Sequence, residues 1–178
     1  MGISEMVIRK AANEEYESVR AFYHCIIDGV AGRTDTVGWK KDIYPAPEYL
    51  KNSIAAGELY IAVEDGEIVA SMVLSHDSND GYQEFRWPTE AEPDEVTVIH
   101  ALGVRPDRMV HGYGKKMVRF AIDLARENGQ KAIRLDVLKG NTAAERLYTG
   151  LGFRYLHTLK MFYKDTGWTD FELYEYVI

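Results

Sequence analysis

The chain has 178 residues, of which 46% are hydrophobic and 28% charged, with a formal net charge of −7 at pH 7. This composition is ordinary for a soluble globular protein, and the length predicts a single domain over residues 1–178. The acidic balance gives no field that attracts nucleic-acid phosphates, and no apolar run comes near the roughly 18 residues of a membrane span. Because the N-terminus also lacks a signal pattern, we expect a cytoplasmic protein with no nucleic-acid or membrane partner.

The N-terminal third is predicted to contain one strand and two helices. Residues 6–10 form the strand, Asn13 is the expected N-cap of the first helix, and that helix ends near Gly29. Pro47 opens the second helix, over residues 48–56.

The rest of the chain alternates strands with helices. Asp65-Gly66 is a strong hairpin signal between two β-rich runs, and residues 75–95 form an acidic segment. The predicted elements are strands over 59–63, 68–74, 96–104 and 132–137, helices over 115–127 and 141–151, and two aromatic-rich strands at the end. The helix over 115–127 is expected to bury Met117, Val118, Ala121, Ile122 and Ala125. Helices interspersed with hairpins predict an α/β class with a mixed sheet rather than an all-parallel one.

A Gly-x-Gly turn, Gly112-Tyr113-Gly114, precedes the amphipathic helix. Glycine lets the backbone approach a ligand closely, and a helix start directs unpaired N–H groups and a positive dipole end at an anion. The surrounding residues include several cations and no acid: Arg108, His111, Lys115, Lys116 and Arg119. Three interpretations stay open from this turn alone, namely a nucleotide fingerprint, an acyl-CoA pyrophosphate loop or a plain tight turn. Met117 and Lys116 break the dinucleotide and P-loop patterns respectively.

A second motif lies further along the chain. Leu135-Asp136-Val137 is followed by Asn141-x-x-Ala144-x-x-Leu147-Tyr148-x-x-x-Gly152-Phe153. This motif follows Val104-x-Pro106 and Gly112-x-Gly114-Lys115 along the chain. Together and in this order, the motifs resemble those of the GNAT superfamily of acyl-CoA-dependent N-acetyltransferases. The resemblance covers residues 98–155, while the N-terminal half matches only in its order of elements. It implies a single-domain GNAT-like fold of α/β (α+β) class, with a mixed, mostly antiparallel sheet of about six to seven strands flanked by helices.

The resemblance also implies a site for acetyl-CoA as cosubstrate. Backbone groups of Leu102, Gly103 and Val104 would pair with the pantetheine arm like an added strand. Pyrophosphate would be held by the amides of Met109, Val110, His111, Gly112, Tyr113, Gly114 and Lys115. Met109 replaces the arginine or glutamine of the family pattern, with Arg108 one place early. Lys115, Lys116 or Arg119 could meet the 3′-phosphate or form a solvated helix face.

On the second helix, Asn141 could act both as N-cap and as a ligand of the pantetheine amide. Ala144 and Tyr148 share its face of the helix. By the resemblance, Tyr148 protonates the departing thiolate as general acid; its alternative is a core aromatic.

Amine acetylation also needs a proton acceptor. His100 is the first candidate, because residues 98, 100, 102 and 104 would share one face of a regular strand along the cofactor. A structural histidine is the alternative, and Glu95 is the runner-up base.

The expected function is N-acetyl transfer by direct attack in a ternary complex, to a primary amine of a small acceptor. The acidic 75–95 segment, with Trp39 and Tyr44, could line a site for a cationic amine. The alternative is a non-catalytic acyl-CoA-binding regulatory module, and either a monomer or a homodimer is compatible with the sequence.

No metal is expected, because the remaining histidines show no metal-ligand spacing with one another or with Cys25. A single cysteine also excludes an internal disulfide. Since His24 and Cys25 point about 100° apart on a helix, they do not form a catalytic pair, and Cys25 is expected in the core.

Overall fold

The computed structural model describes residues 5–178, except for the side chains of Met109 and Val110. Its strands are β1 Val7–Lys10, β2 Leu59–Glu64, β3 Glu67–Ser75, β4 Val96–Val104, β5 Ala132–Leu138, β6 Arg154–Tyr163 and β7 Gly167–Val177. Its α-helices are α1 Tyr16–Gly29, α2 Pro47–Ala55, α3 Tyr113–Glu127 and α4 Thr142–Gly150. Short 3-10 helices cover Asn13–Glu15, Asp80–Glu84, Pro93–Glu95 and Pro106–His111.

The seven strands form one sheet in the order β1-β2-β3-β4-β5-β7-β6. Neighbouring strands are antiparallel except β4 and β5, which run parallel. The hairpin turn at Asp65-Gly66 has positive φ at both residues, 53° and 75°, as a two-residue hairpin turn of right-handed twist requires. The predicted mixed and mostly antiparallel sheet is confirmed.

The core lies on both faces of the sheet. On one face α3 buries every residue that its periodicity predicted: Met117, Val118, Ala121, Ile122 and Ala125. On the other face α1 and α2 pack against β2, β3 and β4, with Val19, Tyr23 and Leu50 almost fully buried. The amphipathic pattern of each helix therefore fixes which side faces the sheet.

Two N-terminal predictions are wrong. Asn13 is not the N-cap, because the chain enters a 3-10 turn whose first N–H, from Ala12, is accepted by the Glu15 carboxylate at 2.9 Å. Arg9 fixes that carboxylate through two hydrogen bonds of 2.7 and 2.9 Å. Cys25 is exposed rather than buried, because α1 turns Phe22 and Ile26 toward the sheet instead.

Strand β4 contains a β-bulge at Ala101, whose φ is 52°. The register with β3 shifts by one residue, from Val73 opposite His100 to Ser71 opposite Gly103. An extra residue in one strand reverses the alternation of faces beyond it. Accordingly, Ile99 and Leu102 both pack on the α3 side although they are three residues apart. Residues 98, 100, 102 and 104 therefore do not share one face, which corrects the prediction from a regular strand.

Strands β4 and β5 separate soon after they begin. Their pairing covers Val96–Val98 on β4 and 132–134 on β5, whereas β4 stays paired with β3 as far as Val104 and β5 with β7 as far as Leu138. A wedge thus opens between the carboxyl ends of two parallel strands, a common position for ligand sites in sheets of this kind. The N-termini of α3 and α4 follow these two strands along the chain.

Candidate active site

The wedge widens into a cleft of about 450 Å³, which we call the outer cleft. Its walls come from β4, the start of α3, α4, the end of α1 and the loop that follows α1. Nine of the residues predicted for acetyl-CoA line it: Leu102, Gly103, Val104, Gly112, Gly114, Lys115, Asn141, Ala144 and Tyr148. These residues come from three separate stretches of sequence, and the fold brings them together around one cavity.

The remaining predicted residues lie beside the cleft. The Tyr113 side chain is 3% exposed and its hydroxyl donates to the Glu64 carboxylate on β2. His111 stacks on the Tyr113 ring with centroids 5.6 Å apart. Met109 and Val110 belong to the 3-10 helix Pro106–His111, and their side chains lie outside the described part of the structure. At these four positions the predicted phosphate contacts are backbone amides.

Three glycines shape the outer cleft. Gly112 has a φ of 72° and lets the chain turn directly into α3. A Cβ on Gly114 would lie 3.3 Å from Leu147 Cδ2, so its absence lets α3 approach α4 closely. A Cβ on Gly103 would lie 2.5 Å from Ile26 Cδ1 and 3.2 Å from the Trp39 ring. Glycine at 103 thus allows α1 and Trp39 to pack directly over β4.

The cationic residues near the turn divide into two groups. Arg108 contacts the carboxylates of Glu64 and Glu67 at 3.6 and 3.5 Å, so acids of the β2–β3 hairpin neutralise it. Lys115 lines the outer cleft. Arg146 on α4 also lines it. Arg146 could not be singled out from the sequence, because an arginine on a helix after its N-cap usually belongs to a solvated face.

Helix α4 begins at Asn141, which has the predicted capping role. Its Oδ1 accepts the backbone N–H of Ala144 at 3.3 Å, and its residue surface is 9% exposed. Because a side-chain amide also carries two N–H donors, capping leaves Asn141 able to donate to a ligand in the cleft.

Tyr148, two turns along α4, is 6% exposed and packs edge-on against Phe153 with ring centroids 5.3 Å apart. Burial, with a smaller contribution from the negative charge of Asp136, raises the pKa of the Tyr148 hydroxyl well above its ordinary value. The hydroxyl therefore stays protonated at neutral pH, as a proton donor must.

A second, smaller cavity of about 100 Å³ adjoins the outer cleft, and we call it the inner chamber. The two cavities share a wall of six residues: Val37, Trp39, Leu102, Asn141, Ala144 and Tyr148. Further into the chamber lie mainly aromatic and ionisable side chains: Tyr44, His100, Asp136, Tyr163, Asp165 and Phe171. Tyr148 thus stands where the two cavities meet.

Asp136 on β5 is held by two tyrosines. The hydroxyls of Tyr82 and Tyr163 donate to its Oδ2 at 2.7 and 2.8 Å. Burial raises the pKa of this carboxyl, and the two hydrogen bonds oppose the rise. Sequence reasoning gave Asp136 no role, although a charged residue within an apolar strand is itself a signal of a buried polar site.

Of the two candidate bases, only His100 reaches the chamber. Its Nε2 lies 2.8 Å from the carbonyl oxygen of Asp77. Because a carbonyl can only accept, Nε2 carries the proton, and neutral His100 has Nδ1 as its basic nitrogen. Glu95 instead accepts from Lys131 at 2.9 Å and from the Glu92 amide at 2.9 Å, and these bonds lower its pKa. Glu95 lines neither cavity, so the geometry does not favour it.

Only some of the residues predicted to line an acceptor site lie at the inner chamber. Trp39 and Tyr44 line the inner chamber, but none of the acidic side chains of residues 75–95 does. That segment acts indirectly, through the Tyr82 hydroxyl on Asp136 and the Asp77 carbonyl at His100. The acids that line the chamber, Asp136 and Asp165, come from the sheet and from the β6–β7 turn.

Within the part of the chain that the structure describes, no group of three or more His, Cys, Asp or Glu side chains is placed to hold a metal ion. In the same residues, every helix is too short or too polar to cross a membrane.

The chain is similar to known proteins in sequence. The sequence model of the Acetyltransferase (GNAT) family matches residues 15–153. The chain is similar to the ribosomal protein bS18-alanine N-acetyltransferase of Haemophilus ducreyi, with 33% identity over 70 residues, which are 39% of this chain and 48% of that relative. It spans less than half the length of the curated relatives it matches.

Solved structures share the fold. A GNAT family acetyltransferase from Streptococcus agalactiae superposes with a TM-score of 0.79 at 17% identity, over 97% of this chain and 95% of that one. The yncA protein of Salmonella typhimurium, solved with its cofactor acetyl-CoA, superposes with a TM-score of 0.65 at 19% identity, over 97% and 93% of the two chains. The predicted fold class is thereby confirmed. Since the family model spans most of the chain, including the β4 wedge and the α4 motif, this chain belongs to the acetyltransferase (GNAT) family.

Proposed function

We propose that the protein is an N-acetyltransferase that moves an acetyl group from acetyl-CoA to a primary amine of a small acceptor. The observation that carries this proposal is the meeting of the outer cleft and the inner chamber at Tyr148. A donor in one cavity and an acceptor in the other would meet at a buried, protonated hydroxyl. This arrangement supports direct transfer within a ternary complex.

The outer cleft suits the extended acyl-CoA donor. Leu102, Gly103 and Val104 lie where β4 has left β5, so their backbone groups on that side can pair with the amides of the pantetheine arm. The left-handed Gly112 leads into the first turn of α3, whose N–H groups have no partner within the helix and favour an anion such as pyrophosphate. Lys115 and Arg146 supply positive charge for the phosphates.

The placement of Tyr148 and His100 supports the following reaction. The neutral amine nitrogen attacks the thioester carbonyl carbon, so a C–N bond forms and the C–S bond breaks. A β4 backbone N–H stabilises the oxyanion, and Tyr148 gives its proton to the leaving sulfur. The amine proton passes to Nδ1 of His100, directly or through water. The products are the N-acetyl amine and CoA.

An amine acceptor agrees with the relatives. The matched protein of Haemophilus ducreyi is named for N-acetylation of an alanine of a ribosomal protein. In this chain the two carboxylates and the aromatic rings of the inner chamber favour a cationic amine of small size. A cytoplasmic location and a monomeric or homodimeric state remain our predictions.

The test is Tyr148→Phe, which removes only the hydroxyl. We expect the rate of acetyl transfer to fall by about 100-fold or more, the usual contribution of a general acid. Acetyl-CoA affinity should stay within about twofold, because the ring is kept. Release of the CoA thiol across a panel of amines measures the first, and calorimetry measures the second.

Tyr155→Phe is the matched control. Tyr155 lies half-exposed on β6 with its hydroxyl bonded to Thr158 at 2.6 Å, so its loss should leave transfer unchanged. Unchanged turnover of Tyr148→Phe across pH would remove Tyr148 from the mechanism. Binding of acetyl-CoA by the unmodified protein without transfer to any amine would instead support the alternative, a non-catalytic acyl-CoA-binding regulatory module.

A further inference from the structure

Asp165 in the β6–β7 turn is a buried acid with one carboxylate oxygen that has no hydrogen-bond partner among the described residues. The residue is 6% exposed and lines the inner chamber, and its Oδ1 has no hydrogen-bond partner. Lys40 is the cation whose charge acts on it, but no ion pair between them is found among the described residues. Backbone amides and the charge of Lys40 partly compensate this carboxylate, but a buried oxygen without a donor is costly and calls for an explanation such as a ligand.

Asp136 presents a second carboxylate to the same chamber. Tyr82 and Tyr163 both donate to Oδ2, and no donor reaches Oδ1 in the described structure. Because two tyrosines anchor one oxygen, the other is held in a fixed position. The chamber is therefore lined by two aspartates, each with one carboxylate oxygen that accepts no hydrogen bond in the described structure.

The rest of the chamber suits a compact cation. The rings of Tyr44, Tyr163 and Phe171 line it, and aromatic faces attract an ammonium group. Its volume of about 100 Å³ equals that of three to four water molecules at about 30 Å³ each. Two acids in this space disfavour an acceptor with a carboxylate of its own.

On the basis of the proposed function, we propose that Asp165 and Asp136 form a subsite for a second cationic group of the acceptor. The substrate class is then a short diamine: one nitrogen stays charged between the aspartates while the other, uncharged, attacks the thioester beside Tyr148. The charged nitrogen supplies the donors that Asp165 and Asp136 lack within the chain.

The experiment compares amines of equal size. Calorimetry with the CoA-saturated protein measures binding of 1,3-diaminopropane and 1,4-diaminobutane against 1-aminobutane and 1-aminopentane. Both classes carry an ammonium group at neutral pH, so calorimetry should show both binding through the aspartates. In steady-state acetylation we expect kcat/KM for each diamine to exceed that of its alkylamine by about tenfold or more, because only a diamine keeps one charged nitrogen between the aspartates while a second nitrogen attacks.

Asp165→Asn should remove the diamine preference and leave the alkylamines within about twofold. Asp136→Asn should reduce the preference independently. The control is Asp170→Asn on the same hairpin, because Asp170 pairs with Lys160 at 3.2 Å outside the chamber. This variant should keep the wild-type preference.

Equal kcat/KM for diamines and alkylamines in the wild-type protein would overturn the subsite, as would an equal loss of kcat/KM for both classes in Asp165→Asn. Binding separates the two proposals. Diamine binding that Asp165→Asn weakens about tenfold, without transfer to any amine, would refute the proposed function and leave the subsite standing. Transfer to alkylamines and diamines at equal kcat/KM would refute the subsite and leave the proposed function standing.

Discussion

At the scale of single residues, the carboxyl of Asp136 is proposed to bind the acceptor, but its burial lowers the stability of the folded protein once it ionises. Burial raises its pKa in the folded protein above the ordinary value of 3.8, while the unfolded chain keeps the ordinary one. The folded state therefore binds this proton more tightly. As pH rises from about 3.8 through the folded pKa, Asp136 ionises at a cost, and its contribution to the free energy of unfolding falls.

Asp136→Asn removes this titration. We expect the free energy of unfolding of the variant, relative to the wild type, to rise with pH above about 4 and level off above the folded pKa. Urea unfolding at intervals from pH 4 to pH 8 measures the difference. Tyr82→Phe keeps the acid and removes one hydrogen-bond donor. Its free energy of unfolding should therefore fall more between pH 4 and pH 8 than that of the wild type. A difference between Asp136→Asn and wild type that is constant from pH 4 to pH 8 contradicts the assignment.

At the scale of secondary-structure elements, the start of α4 combines a structural role with a proposed ligand role. Asn141 Oδ1 caps the Ala144 N–H, and the same residue lines both cavities. Alanine removes both roles, whereas aspartate keeps the acceptor oxygen of the cap and loses the amide donor. The pair of substitutions separates the two roles.

We expect Asn141→Ala to lower the free energy of unfolding by about 1 kcal/mol. Asn141→Asp should stay within about 0.5 kcal/mol of wild type but bind acetyl-CoA about tenfold more weakly. Urea unfolding and calorimetry measure the two effects. Asn13→Ala, at an exposed residue without a cap hydrogen bond, should change neither. Wild-type acetyl-CoA affinity in Asn141→Asp would restrict Asn141 to capping.

At the scale of the whole molecule, the site depends on the separation of β4 from β5. The bulge at Ala101 turns Leu102 and Val104 to the α3 side, and the wedge then opens toward α3 and α4. Trp39, from the loop after α1, closes both cavities from the opposite side. The two cavities are thus formed by residues from distant parts of the chain.

Trp39 should report donor binding. Because it lines the outer cleft, acetyl-CoA should displace water from the indole and shift tryptophan fluorescence to shorter wavelength. Trp39→Phe should abolish the shift, which a fluorescence titration measures. Trp168→Phe is the control, since Trp168 is 72% exposed on the β6–β7 hairpin and lines neither cavity. A shift that survives in Trp39→Phe would place the donor elsewhere.

Much of the fold could be predicted, because apolar periodicity reports which face of an element is buried. The α3 face, the hairpin at Asp65-Gly66 and the cap at Asn141 all follow from local patterns. The bulge at Ala101 could not be predicted, because no local sequence signal marks an alanine that will adopt positive φ. Pairing with β3 imposes the one-residue shift in register. The exposure of Cys25 could not be predicted either, because the sheet that decides which face of α1 is buried comes from other parts of the chain.

By itself, the sequence determined the order of elements, the buried helix faces and the glycine turn and capped helix that resemble an acyl-CoA site. These features rest on interactions within a few residues, which periodicity and turn chemistry express directly. Only the tertiary structure decided that Asp136, Asp165 and Tyr148 share one small chamber. Residues from a strand, a turn and a helix meet there because the sheet order places β7 and β6 beside β5, and pairing between distant strands leaves no local pattern in the sequence.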